Sequence, residues 1–170
     1  MKTTIIYCFL MVGLMWSCSS DDSNDIEIPE EQGFTFEISG DIGKTISGKN
    51  AFFSTSVSQD AIGRQLFTLF VAANDVNGDQ VNIGITQLEN VGSGNYNIAF
   101  GIEPPYNGFV SYGEDPNNGS PIFGPIGGGI NINSVNSEMV TGSIDVQCQI
   151  PGQTTSVRIK GTFNALPNVK

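Results

Sequence analysis

The chain has 170 residues, with 17 acidic and 7 basic side chains, no histidine and a formal net charge of −10. The acidity excludes a nucleic-acid-binding protein, because contacts with phosphate need clustered Lys and Arg. The lack of histidine excludes His-activated serine or cysteine nucleophiles and every zinc site that contains His. The length predicts one domain, since domains usually run roughly 100–200 residues.

The amino terminus has the pattern of an export signal. Met1 and Lys2 give a short, positively charged start, and Ile5–Met15 is a largely apolar run. That run is too short for the roughly 20 residues of a membrane-spanning helix, but it suits the apolar region of a signal peptide. The sequence therefore predicts a signal peptide over residues 1–17.

A cysteine, Cys18, follows the signal directly after Trp16 and Ser17. An apolar run, a small residue and a cysteine at this distance resemble the lipobox of bacterial lipoproteins. The resemblance implies that Cys18 is acylated on its sulfur, for example with palmitate, and becomes the first residue of the mature protein. Two or more acyl chains hold a protein stably on a membrane. The alternative is an ordinary secretory signal in which Cys18 is incidental.

The polar tract after Cys18 begins with Ser19, Ser20, Asp21 and Asp22. This tract resembles the surface-export signal of lipoproteins in the Bacteroidota, and the resemblance implies that the protein reaches the outer face of the outer membrane. One alternative is a simple solvated spacer, because such polar segments do not bury enough apolar surface to fold. The other is an outer-membrane lipoprotein that faces the periplasm.

Three segments follow from these patterns. Residues 1–17 form the signal peptide, residues 18–32 the lipidated cysteine with a flexible acidic tether, and residues 33–170 a single domain. That domain keeps one cysteine, Cys148. It therefore relies on its core and its backbone hydrogen bonds, and not on an internal disulfide.

The domain sequence alternates apolar and polar residues with a period of two, which is typical of strands. The alternating runs are Phe34–Ile38, Phe67–Ala73, Val81–Ile85, Tyr96–Ile102, Ile130–Ile132, Val140–Ile150 and Val157–Phe163. Turn signals rich in Gly, Asn, Pro and Asp separate them. We therefore predict an all-β fold, an antiparallel β-sandwich or partly closed barrel of about nine or ten strands.

The first hairpin register can be predicted from the requirement that both strands share one buried face. Pairing Val71 with Ile83 meets it and leaves Val76–Gly78 as a three-residue loop. Such a loop places a left-handed residue at Gly78, and Asp75 is positioned to cap nearby backbone amides. A two-residue turn at Asn77 and Gly78 would break the shared face.

The two strands of the last hairpin must also share one buried face. Pairing Cys148 with Ile159 sets Ile144 against Phe163 and leaves Pro151–Ser156 as the connecting loop. All of these apolar residues then lie on one face. We predict that register.

The carboxyl-terminal strands also have a family pattern. The segments Gly127–Cys148 and Ser156–Ala165 resemble the last strands of small Bacteroidota outer-membrane lipoproteins of uncharacterised function. The likeness covers roughly the final quarter of the chain. It implies an all-β lipoprotein and assigns no catalytic residue.

Residues 103–125 are rich in proline and aromatic side chains. Aromatic residues on a rigid loop supply a large contact area at a small entropic cost, so Tyr106, Phe109 and Tyr112 are the candidate ligand-binding residues. The alternative is an edge hairpin of Gly108–Gly113 and Ser120–Phe123, with its aromatic side chains covering one end of the core.

Three other patterns predict no chemistry. Asp75–Asp79 faintly resembles a calcium loop, but its glycine is misplaced for an EF-hand and the segment fits a hairpin turn. Glu103 and Glu114 are a conceivable glycosidase pair, but nothing in the sequence fixes their separation. Cys148 lies within an apolar series and has no histidine to activate it. We predict no catalytic residue, metal or cofactor.

The predicted function is a non-catalytic binding or adhesion module on the outer membrane, facing the cell exterior. Its partners would be the membrane, through the lipid on Cys18, and an extracellular ligand. The alternative is a structural envelope protein or an accessory subunit that docks on another outer-membrane protein.

Overall fold

The computed structural model describes residues 31–99 and 107–168, and this part of the chain is all β. Its ten strands are β1 (Gly33–Gly40), β2 (Lys44–Gly48), β3 (Asn50–Gln59), β4 (Gln65–Asn74), β5 (Gln80–Gln87), β6 (Gly94–Asn97), β7 (Asn107–Gly113), β8 (Ile122–Val135), β9 (Val140–Gln149) and β10 (Ser156–Pro167). A single turn of 3₁₀-helix covers Pro116–Asn118. In the described ranges no helix reaches the length and hydropathy needed to cross a bilayer.

The strands form two layers that join at two corners. A six-stranded sheet has the order β2-β1-β10-β9-β8-β6, and a four-stranded sheet has the order β3-β4-β5-β7. The start of β8 pairs with β7, and the end of β10 pairs in parallel with β3. The predicted sandwich or partly closed barrel is confirmed, because the sheets face each other and the corner pairs close a ring.

The core lies between the two sheets and takes every second residue of most strands. Successive side chains of a strand point to opposite faces, so one face supplies the core and the other meets solvent. The largest fully buried side chains are Tyr112, Phe36, Phe123, Phe163, Ile38, Leu69, Ile83, Ile85, Ile130, Ile132, Ile159 and Val71. Each such residue contributes roughly 1.5–3 kcal/mol through burial.

The register predicted for the β4–β5 hairpin is confirmed. Val71 pairs with Ile83. Gly78 has a φ of 92°, the left-handed conformation that the three-residue loop requires. The Asp75 carboxylate accepts hydrogen bonds from the backbone amides of Asn77 and Asp79, at 2.8 and 2.9 Å. The shared buried face and the loop chemistry therefore select the same register.

The register predicted for the β9–β10 hairpin is wrong by two residues. Cys148 pairs with Val157, and Ile144 pairs with Gly161. A shift of two keeps every side chain on its predicted face.

Aromatic packing over glycine accounts for that shift. Phe163 pairs with Gly142, and its ring comes within 2.7 Å of where a Cβ of Gly142 would lie. Phe36 pairs with Gly161 and packs on it in the same way. Each ring thus lies over a residue without a side chain, whereas the predicted register would have set Ile144 against Phe163.

Two strands have no counterpart among the predicted runs. β2 has a single buried residue, Ile46, and in β3 burial alternates only as far as Phe53. The second half of β3 is exposed on both sides, so its sequence shows no period of two. Tyr96 lies in β6, which ends at Asn97, and the rest of the run predicted there extends beyond the described residues.

Candidate ligand-binding face

The predicted site residues fall into separate places. Cys18, the residues Ser19, Ser20, Asp21 and Asp22, and Tyr106 lie outside the described residues. Phe109 lies on β7 and is 47% exposed. Tyr112 lies on the same strand but points into the core.

Tyr112 is a core residue, which corrects its assignment as a ligand contact. Its side chain is 0% exposed, and its ring lies 5.7 Å from that of Phe123, centroid to centroid. Tyr112 pairs with Phe123, as the alternative hairpin of Gly108–Gly113 and Ser120–Phe123 predicts, but β7 is not an edge strand because it also pairs with β5 along its whole length. The period of two should have revealed this, because Tyr112 shares a face with the buried Val110 and not with Phe109.

A polar cluster at one end of the sandwich involves the Tyr112 hydroxyl. The hydroxyl donates to Asp79, at 3.2 Å, and Lys44 donates to both oxygens of the same carboxylate, at 2.9 Å each. Lys44 also donates to Glu114, at 2.7 Å. Since Lys44 begins β2 while Asp79 and Glu114 flank β5 and β7, the cluster ties the two sheets together.

Two members of this cluster, Lys44 and Tyr112, have raised pKa values. Partial burial alone would lower the pKa of Lys44, but its hydrogen bonds to Asp79, Glu114 and Tyr112 outweigh that effect and raise it. Burial raises the pKa of the Tyr112 phenol well above its usual value, although the hydrogen bond with Lys44 opposes the shift. Each polar group of the cluster is hydrogen-bonded to another member, so the cluster's role is to hold the two sheets together.

The other acidic candidates are also accounted for. The 75–79 segment is a hairpin turn, in which Asp75 accepts backbone hydrogen bonds. Glu103 lies outside the described residues, and Glu114 is paired with Lys44. Within residues 31–99 and 107–168, no three His, Cys, Asp or Glu side chains group as metal ligands.

Cys148 lies in the core. Its side chain is fully buried, and burial raises the pKa of its thiol to about 12. The sulfur lies 3.8 Å from the backbone oxygen of Val110. A thiol in this environment is protonated at neutral pH and inert.

The outer face of the four-stranded sheet, called the phenylalanine face below, exposes aromatic rings. Phe52, Phe70 and Phe109 are 38%, 40% and 47% exposed. Phe70 pairs with Gly84, and Gly84 pairs with Phe109. Phe70, Gly84 and Phe109 therefore form one row across β4, β5 and β7. Strands lie about 4.8 Å apart, which places the Cα atoms of Phe70 and Phe109 about 9.6 Å apart. Gly84 leaves a slot between the two rings.

The rest of this face is uncharged and mostly polar. Its other outward positions with described side chains are Asn50, Ser54, Ser56, Ser58, Leu66, Thr68, Ala72, Asn74, Gln80, Asn82, Thr86 and Ser111. Thr68 and Thr86 share a hydroxyl hydrogen bond of 3.0 Å beside the Phe70–Gly84 row. Across the described strands, the outward side of this sheet contains no Asp, Glu, Lys or Arg.

The outer face of the six-stranded sheet has the opposite character. A shallow groove of about 480 Å³ crosses β6, β8, β9 and β10, and Asp145 and Lys160 lie along it. Arg158 donates to both oxygens of Asp145, at 2.7 Å each, and this contact lowers the pKa of that carboxyl.

Comparisons with protein-family models, curated proteins and solved structures found no match for the chain.

Proposed function

We propose that this protein is a lipid-anchored, non-catalytic binding module of the outer membrane, and that it binds through the phenylalanine face. The observation that carries the proposal is the row Phe70–Gly84–Phe109, with two exposed rings on a face without charge. Partly exposed aromatic side chains provide most of the contact energy at many binding surfaces.

The anchor and its direction come from the sequence. The lipobox-like signal ending at Cys18 supports a lipid anchor of the bacterial lipoprotein kind, and Ser19–Asp22 supports export to the outer face of a Bacteroidota cell. The proposed tether, residues 18–32, would hold the domain away from the lipid. A tether of this kind leaves both faces of the sandwich free to meet external ligands.

The absence of catalysis in this proposal is supported by how the reactive groups are used. Asp79 and Tyr112 are 5% and 0% exposed and are bonded within the polar cluster. Cys148 is buried as a neutral thiol. Catalytic acids and nucleophiles must reach a substrate from a cleft, which these groups do not do.

The alternative is an accessory subunit, or a structural envelope protein, whose phenylalanine face is covered by another outer-membrane protein. The same exposed rings favour it. The two functions differ in one measurable property, because a binding module leaves this face open on the cell until ligand is added. An accessory subunit keeps it closed.

Cysteine labelling on intact cells separates these functions. Ser54 is exposed and pairs with Phe70 on the phenylalanine face, and Ser39 is exposed on the outer face of β1 in the other sheet. Ser54→Cys and Ser39→Cys are therefore matched variants for a membrane-impermeant maleimide. The background is low because Cys148 is buried and, in the proposal, Cys18 is acylated.

The expected result is equal labelling of both variants on intact cells. Labelling of Ser39→Cys alone would contradict an open phenylalanine face and favour the accessory subunit. Labelling of both variants only after lysis would contradict surface exposure. A Cys18→Ala strain tests the anchor, since the proposal requires that its protein leaves the membrane fraction.

A further inference from the structure

We infer that the ligand of the phenylalanine face is an extended, uncharged polysaccharide, laid across the strands along the Phe70–Gly84–Phe109 row. This inference rests on the proposed function and names its ligand class. It follows from three properties of the face: its charge, its mixture of side chains and the spacing of its rings.

The charge of the face separates it from the rest of the molecule. The chain carries a net charge of −10, yet the outward side of β3, β4, β5 and β7 has no ionisable residue in the described strands. A charged ligand would find no counter-ion there and would lose its own hydration. A cationic ligand would instead be drawn to the acidic surfaces elsewhere. The face therefore selects a neutral ligand.

The side chains match the two kinds of surface that a sugar presents. A pyranose ring has apolar C–H groups on its faces and hydroxyl groups around its edge. Phe70 and Phe109 offer apolar area to the C–H groups. Thr68, Thr86 and Asn82 lie beside them and offer hydroxyl and amide groups that both donate and accept hydrogen bonds.

The ring spacing suggests a chain of sugars and not a single one. The two phenylalanines lie two strand spacings apart, about 9.6 Å, which a disaccharide unit of an extended polysaccharide spans. Gly84 keeps the surface between them low, so that the chain can lie flat. Its backbone does not require glycine, because its φ is not positive and an added Cβ would meet only Phe109, at 3.9 Å.

Membrane anchoring suits such a site. Two phenylalanines give a modest affinity for one short stretch of polysaccharide. Many lipid-anchored copies that meet one repeating chain bind it together, and avidity then exceeds single-site affinity by orders of magnitude. This inference needs no further site on the domain.

The test is affinity gel electrophoresis of the mature chain carrying Cys18→Ala, which replaces the lipid. The native gels contain a soluble neutral β-glucan, xyloglucan or mannan, and a gel with anionic polygalacturonate serves as the charge control. The variants are Phe70→Ala, Phe109→Ala and Gly84→Val. Ile126→Ala is the matched control, since Ile126 is an exposed apolar residue of β8.

Retardation of the wild type in at least one neutral gel, and not in polygalacturonate, is expected. Each phenylalanine variant should lose about tenfold in affinity. Gly84→Val should abolish retardation without lowering the melting temperature, because valine fills the slot and suits a strand. Ile126→Ala should behave as the wild type does.

Two outcomes would overturn the inference. The first is no retardation of the wild type in any neutral gel, and the second is retardation that survives both Gly84→Val and the combined loss of Phe70 and Phe109. Sedimentation of the wild type as a dimer that the phenylalanine substitutions dissociate would assign the face to a second copy of the chain instead. If the gels fail while Ser54→Cys is labelled on intact cells, only the ligand class is wrong. If Ser54→Cys is protected, the proposed function itself is wrong.

Discussion

The two outer faces of this sandwich are built on the same strand geometry but use their side chains differently. On the six-stranded sheet, Asp145 is bonded to Arg158, so two of the charges on that face are paired. On the four-stranded sheet, Phe70 and Phe109 are exposed beside a glycine and have no charged neighbour on their face. The first face therefore carries a paired charge, whereas the second exposes aromatic rings on an uncharged surface.

Glycine shows the same contrast. Gly161 in β10 lies under Phe36, and a Cβ there would overlap the backbone oxygen of Thr35. Gly84 in β5 has room for a Cβ. Packing requires a glycine at position 161. It does not require one at position 84, where the missing side chain leaves open space between Phe70 and Phe109. Substitutions on the two sheets test this difference.

Gly161→Ala and Gly84→Ala should change stability in opposite directions. Gly161→Ala forces β1 away from β10 and should lower the free energy of unfolding by more than about 3 kcal/mol. Gly84→Ala relieves the entropic cost of glycine in a strand and should raise it by about 0.5 kcal/mol. Urea denaturation of both variants measures this. Equal losses would contradict the distinction.

Lys44→Met and Arg158→Met should change the free energy of unfolding by different amounts. Lys44 belongs to the partly buried polar cluster, whereas Arg158 belongs to an exposed ion pair. Lys44→Met leaves Asp79, 5% exposed, with only the Tyr112 hydroxyl as partner. Lys44→Met should lower the free energy of unfolding by about 2–3 kcal/mol. This loss is smaller than for breaking a fully buried ion pair, because Lys44 and Glu114 keep contact with water. Arg158→Met should not change the unfolding midpoint measurably, because exposed pairs contribute little. Similar midpoint shifts would be the contradicting outcome.

The buried thiol of the six-stranded sheet should make stability fall at alkaline pH. Burial raises the pKa of Cys148 from 9.0 to about 12, so above pH 9 the unfolded chain loses a proton that the folded chain keeps. That difference favours the unfolded state and should cost roughly 1 kcal/mol by about pH 10. Lys44 and Tyr112, whose pKa values are also raised, act in the same direction at higher pH.

Cys148→Ala provides the control for that prediction. It should be less stable at neutral pH because of the lost packing, but its stability should fall less steeply between pH 9 and 12, the range set by the Cys148 shift. Urea midpoints at several pH values give the slopes. Identical slopes would show that the thiol does not contribute.

Asp75→Ala tests the turn at the edge of the phenylalanine face. Its carboxylate accepts hydrogen bonds from the amides of Asn77 and Asp79. Their loss should cost about 1 kcal/mol. Val76→Ala, an exposed change in the same turn, should leave thermal stability unchanged. A Val76→Ala effect as large as that of Asp75→Ala would contradict the assigned role of the carboxylate.

Alternation and loop chemistry were enough to predict the all-β fold and the β4–β5 register. They failed for β9 and β10 because a shift of two residues preserves the alternation, and the choice depends on Phe163 packing over Gly142. They also failed for β3, whose second half is exposed on both sides and so carries no signal.

The candidate face was predicted only in part. Phe109 stood among the candidate residues, whereas Phe70 was only part of the predicted strand run Phe67–Ala73 and Phe52 belonged to no predicted run. Their proximity depends on the pairing of β3, β4, β5 and β7, and the β5–β7 pair joins residues 21 to 33 positions apart. No local pattern encodes such a contact. The Lys44–Asp79–Glu114 cluster was missed for the same reason, because its three residues come from distant segments.

The most direct test of the contrast between the two faces is an NMR titration of the ¹⁵N-labelled chain from residue 18 onward, carrying Cys18→Ala, with a neutral oligosaccharide from the retarding polysaccharide. The account predicts that the amide signals of Ser54, Phe70, Gly84 and Phe109 shift, while those of Asn131, Asp145 and Thr162 along the opposite groove do not. Shifts confined to the groove of the six-stranded sheet would contradict it, since the charged face would then be the binding surface.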